Sequence, residues 1–79
     1  MNSWAFASMI WSGVLDEKLP ALGVAQELFG SSEENKSHLD NLIIRSKKGT
    51  VLEKNAATRE AIAFIAFAID EKLTEVFKE

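Results

Sequence analysis

The feature that most constrains the fold is a run of nine consecutive apolar residues, from Ala61 to Ile69, near the carboxyl end of the chain. Alanine, the strongest helix former, fills four of these positions. The run therefore predicts a helix that is apolar around its whole circumference, and such a helix must be covered on all sides. A chain of 79 residues hides only about 60 to 65% of its unfolded surface. We therefore expect association to supply part of the cover.

The composition favours the same conclusion. We interpret residues 1–79 as one small helical domain, and domains of this size usually need a disulfide, a metal or a partner subunit for stability. The sequence contains no cysteine, which excludes disulfides and thiolate zinc sites and leaves oligomerisation. We expect a homo-oligomer, most simply a dimer, in a reducing cytoplasm. The longest apolar run is much shorter than the roughly 18 to 20 residues of a membrane span, so none is predicted.

Start and stop signals divide the chain into about four helices. The first is predicted from Ser3 to about Lys18, and the second from Pro20 to Phe29, because proline suits the first turn of a helix. Gly30 is the predicted left-handed cap of that second helix.

The third and fourth helices have further signals. Ser31 and Glu34 have the spacing of a capping box at the start of the third helix, which is predicted to end before Gly49. The last helix is predicted from Ala56 to about Lys78, with Asn55 as its cap. The segment 50–54 is left open between a short extended piece and a helical turn. The predicted fold is an all-α compact bundle, with the C-terminal helix longest and most apolar.

A helical projection divides the last helix into two faces. One broad stripe is predicted to face the bundle and contains Ile62, Ile65, Ala66, Ile69, Leu73, Val76 and Phe77. Phe64 and Phe67 point the other way in this projection, and Ala63 and Ala68 flank them. Small alanines permit close helix approach, and phenylalanines fill pockets of a partner. The predicted interface consists of these four residues together with Trp4 and Trp11, which share one face of the first helix.

Catalytic chemistry has little support in the sequence. His38 is the only imidazole, so no two-histidine metal motif exists and nucleophilic catalysis would depend on that one residue. The four glycines are isolated, which excludes a glycine-rich phosphate loop. The paired carboxylates fall at predicted helix ends or on polar faces, where they balance helix dipoles. We therefore expect no enzyme activity, no cofactor and no metal.

DNA binding is the main alternative. Residues 23–45 have the helix, turn and helix pattern of a degenerate helix-turn-helix. At the end of this segment, Arg45, Lys47 and Lys48 form a basic cluster that could contact phosphates. Residues 31–59 hold six basic and four acidic residues, although the whole chain has a net charge of -3. Glu33 and Glu34 weaken this interpretation, because recognition helices place their first turn against the bases.

Two hypotheses about function follow. The first is a non-catalytic protein-binding module, an adaptor, inhibitor or regulator, that acts as a homo-oligomer with an unidentified protein partner. The second is a dimeric DNA-binding regulator.

Overall fold

The computed structural model describes residues 3–77, which form four α-helices and no strand. The helices are α1 (Ser3–Leu15), α2 (Leu19–Phe29), α3 (Glu33–Lys48) and α4 (Val51–Phe77). The predicted all-α bundle is therefore confirmed, and α4 is its longest helix. The predicted last residue of α4, Lys78, lies outside the described residues.

The end of α1 differs from the prediction. The helix stops at Leu15, and Glu17 then adopts a left-handed conformation with φ of 56°. The amide of Lys18 donates to the carbonyl of Gly13 at 2.8 Å, which closes the helix in the manner of a Schellman motif. The left-handed cap predicted at Gly30 is wrong. Gly30 has φ of -62°, and its amide donates to the carbonyl of Gln26 as in a continuing helix.

The caps of α3 and α4 are each displaced from the predicted residue. Ser32, rather than Ser31, caps α3, since its hydroxyl accepts from the amide of Asn35 at 3.2 Å. Gly49 follows the end of α3, as predicted. The predicted cap at Asn55 is wrong, because α4 begins at Val51, five residues before the predicted first residue, Ala56.

A reciprocal capping box explains this early start. The Thr50 hydroxyl accepts from the amide of Glu53 at 3.2 Å, and the Glu53 carboxylate accepts from the amide of Thr50 at 2.9 Å. Two otherwise unpaired amides at the helix start are thereby satisfied. Residues 50–54, which the sequence allowed to be either extended or helical, thus form a capped helix start.

The core lies where α4 packs against both α1 and α3, while α2 packs against α1. At its centre, Leu42, Ala57, Ala61 and Ile65 are fully buried. Gly13 allows the close approach of α1 and α2, because a Cβ there would lie 2.5 Å from the Cβ of Ala21. Small residues thus bring the helices together, and a few larger side chains fill the space between them.

The last turns of α4 differ from the prediction. A helix of 27 residues is about 40 Å long, which nearly matches the 45 Å long axis of the molecule. Leu73, Val76 and Phe77 belong to the stripe predicted to face the bundle, yet all three are exposed. That part of the prediction is wrong, because the first described turns of α1 border α4 beside Ile69 and Leu73 without covering these three side chains.

Candidate protein-interaction surface

The strongest candidate for a functional surface is the side of α4 that faces away from the other helices. At 100° per residue, eight positions lie within about 80° of one another on this side. We call this set the outer face, and it consists of Leu52, Ala56, Arg59, Ala63, Phe67, Asp70, Thr74 and Phe77, all exposed. It follows α4 from one end to the other.

Large apolar side chains stand at both ends and near the middle of the outer face. Leu52 is 76% exposed, Phe67 is 66% exposed and Phe77 is 79% exposed. Single exposed apolar residues are ordinary on protein surfaces, so the case for this face depends on the alignment of these three side chains along one helix. Phe67 also borders a shallow depression that Asp70 and Thr74 help to line.

Phe64 does not lie on the outer face, although the sequence predicts that it shares an interface with Phe67. Its ring stacks on Phe29 of α2, with the ring centroids 4.5 Å apart and the planes 7° from parallel. The His38 ring of α3 meets it edge-on at 4.7 Å. Phe64 therefore helps to join α4 to α2 and α3, and the grouping of the two phenylalanines on one free face is corrected.

The remaining predicted interface residues also divide between surface and interior. Ala63 lies on the outer face, whereas Ala68 is half-buried on the side of α4 that borders α2 and α3. Trp11 is 2% exposed and belongs to the core, while Trp4 is 47% exposed near the start of α1. The structure thus brings Ala63 and Phe67 together on one surface and does not place Trp11 there.

The opposite ends of α4 differ in charge. Near its start lie Lys47 and Lys48 from the end of α3, with Glu53 and Lys54 in the first turns of α4, and all four are exposed. Near its end lie Asp70, Glu71 and Glu75, with Lys72 as the one basic residue among positions 70–77. The molecule is therefore basic at one end of its long helix and acidic at the other.

Arg45, the third member of the predicted basic cluster, already has an acidic neighbour. Its guanidinium donates to the carboxylate of Glu60 at 3.0 Å, and His38 Nε2 lies 3.9 Å from the same carboxylate. This pairing leaves Lys47 and Lys48 as the more available cations for an anionic partner.

The helix-turn-helix interpretation concerns α2, α3 and their connection. Glu33 and Glu34 are exposed in the first turn of α3. Lys36 pairs with Glu33 at 2.8 Å, and this hydrogen bond and the positive charge of Lys36 lower the pKa of Glu33. The first turn of α3 therefore presents the Glu33 carboxylate in a setting that favours its ionised form.

A second depression lies between α2 and α3, and Gln26 and Asp40 are among its polar lining residues. It has a volume of about 270 Å³, and its lining includes Leu22, Phe29, Leu39 and Lys36. Within residues 3–77 no group of three histidine or acidic side chains could hold a metal ion. No helix in this described part is long and apolar enough to cross a membrane.

No protein-family model, curated protein or solved structure matches this chain.

Proposed function

We propose that the protein is a small non-catalytic binding module that acts as a homo-oligomer and engages another protein. The observation that carries this proposal is the exposure of Phe67 beside Ala63 on the outer face of α4. Burying a phenylalanine is favourable by roughly 2 to 3 kcal/mol, so even a small contact that covers Phe67 gains appreciable free energy. An adaptor, inhibitor or regulator would use such a surface.

The proposal is tested by the solution mass, measured by light scattering across a hundredfold range of concentration. The mass of the natural protein is expected to rise with concentration, whereas Phe67→Glu should remain a monomer that is still helical. Leu19→Glu is the matched control, because Leu19 is 80% exposed on α2, away from the outer face. A natural protein that stays monomeric throughout would refute the self-association.

A second candidate is DNA binding, favoured by the exposed Lys47, Lys48 and Lys54 at one end of the molecule. It predicts that mixed-sequence duplex DNA is retarded at low salt and released as salt rises, because phosphate contacts depend on counterion release. Lys47→Glu together with Lys48→Glu should abolish that retardation. The absence of retardation at low salt and micromolar protein would reject this candidate.

A further inference from the structure

The positions of the outer face are spaced almost evenly on either side of the level of Ile65, which is itself buried on the opposite side of α4. Ala63 and Phe67 are each two positions from Ile65, and Ala56 and Thr74 are each nine positions from it. Leu52 and Phe77 lie near the two ends, at almost equal distances. A surface of this kind can face a copy of itself that runs in the opposite direction.

When the α4 helix of a second copy runs antiparallel to the first, complementary contacts form along the whole helix. Phe67 of one copy then faces Ala63 of the other, so each large ring meets a small side chain. Leu52 at one end faces Phe77 at the opposite end, and both are more than three-quarters exposed in the single copy. The two-fold symmetry of this arrangement makes each contact occur twice, as in an isologous dimer.

Charge favours the same direction. The antiparallel arrangement places Arg59 near Asp70 of the second copy, and both side chains are exposed. It also brings the basic end of each molecule, with Lys48 and Lys54, towards the acidic end of the other. A parallel arrangement would instead place like charges together, which is unfavourable. The antiparallel direction also opposes the two helix dipoles.

We infer that the outer face of α4 binds the outer face of a second copy, with the two helices antiparallel and centred on Ile65. This inference rests on the proposed self-association and specifies its geometry. A face about 40 Å long and 10 Å wide covers roughly 400 Å² on each copy, below the roughly 800 Å² per partner of stable complexes. The dimer is therefore weak, and its formation depends on protein concentration.

The absence of native cysteine permits a direct test by disulfide cross-linking. Ala56→Cys and Thr74→Cys are prepared separately, with a size tag on one variant, and are then mixed and oxidised under mild conditions. Both positions are exposed on the outer face. The inferred pairing places Cys at one position opposite Cys at the other, so the mixed disulfide should exceed its random statistical share.

The same geometry disfavours disulfides between identical variants. Two copies of residue 56 would lie about 27 Å apart, because eighteen helical positions separate 56 from its counterpart at 74. A disulfide requires Cα atoms within about 7 Å. Glu27→Cys mixed with Thr74→Cys measures cross-linking by random collision, because Glu27 is exposed on α2.

Light scattering on the natural protein distinguishes the possible failures. If the mass rises but identical variants cross-link preferentially, the helices are parallel and the antiparallel inference is overturned. If the mass rises and the mixed disulfide does not exceed the Glu27→Cys control, the dimer uses another surface and the inference is again overturned. If the mass stays that of a monomer, the proposed self-association fails together with the inference.

Discussion

The parts of α4 before and after Ile69 have similar apolar stripes in opposite environments. In the first part, Ala57, Ala61 and Ile65 are fully buried between α1 and α3. In the second part, Val76 is 62% exposed although it continues the same stripe. α1 begins at Ser3, whose hydroxyl donates to the carboxylate of Asp70. Helical periodicity therefore identifies an apolar face, but the packing of the neighbouring helices determines how much of it is buried.

The largest expected effect contrasts Ile65→Ala with Val76→Ala. Ile65→Ala leaves a cavity in the packed centre and should lower the free energy of unfolding by about 2 to 5 kcal/mol. Val76→Ala removes an exposed side chain and improves helix propensity, so its effect should stay within about 0.5 kcal/mol. Urea denaturation followed by circular dichroism measures both values. Similar losses for the two variants would show that the final turns of α4 are packed as tightly as its centre.

This comparison also explains which features the sequence predicts well. Helix number and the end of α3 depend on local signals, such as the basic last turn followed by Gly49, and these predictions are confirmed. The Thr50 and Glu53 cap was also present in the sequence, with the same spacing as Ser31 and Glu34. The predicted cap at Asn55 places the start of α4 too late, whereas the spacing of Thr50 and Glu53 indicates the observed start.

Helical periodicity could not predict that Phe64 is packed against other helices while Phe67 is exposed. The two residues are three positions apart and differ by only about 60° around the helix. Which of them is covered depends on the paths of α2 and α3, which bring Phe29 and His38 against Phe64. Similarly, the left-handed conformation of Glu17 depends on how the chain turns from α1 into α2.

A second test sharpens the contrast between these phenylalanines. Phe64→Ala removes a half-buried ring stacked on Phe29, and it should cost about 2 to 3 kcal/mol of folding free energy. Phe67→Ala should change the stability of the monomer by less than about 0.5 kcal/mol, since the ring is mostly exposed. Denaturation at low protein concentration keeps self-association from contributing. A large loss for Phe67→Ala under these conditions would place its ring within the fold of the monomer.

The smallest expected effect concerns the capped start of α4, where Val51 and Leu52 are exposed and local interactions replace core packing. The hydrogen bonds from the Thr50 backbone and side chain lower the pKa of Glu53. A carboxyl whose pKa is lower in the folded state stabilises that state above its unfolded pKa, and this contribution is lost as the pH falls through the folded value. We therefore expect the helical signal to decrease slightly as the pH falls below the ordinary pKa of a glutamate.

Glu53→Gln should remove that contribution, because its amide oxygen can still accept from the amide of Thr50 but does not titrate. The measurement is helical ellipticity against pH, for the natural protein and for this variant. Glu75→Gln serves as the control, because Glu75 is exposed near the other end of α4. If Glu53→Gln and Glu75→Gln give the same pH profile as the natural protein, the carboxylate of Glu53 does not stabilise the helix start. A smaller acid-induced change in Glu53→Gln alone would instead assign that contribution to the reciprocal cap with Thr50, because the rest of α4 would be unchanged.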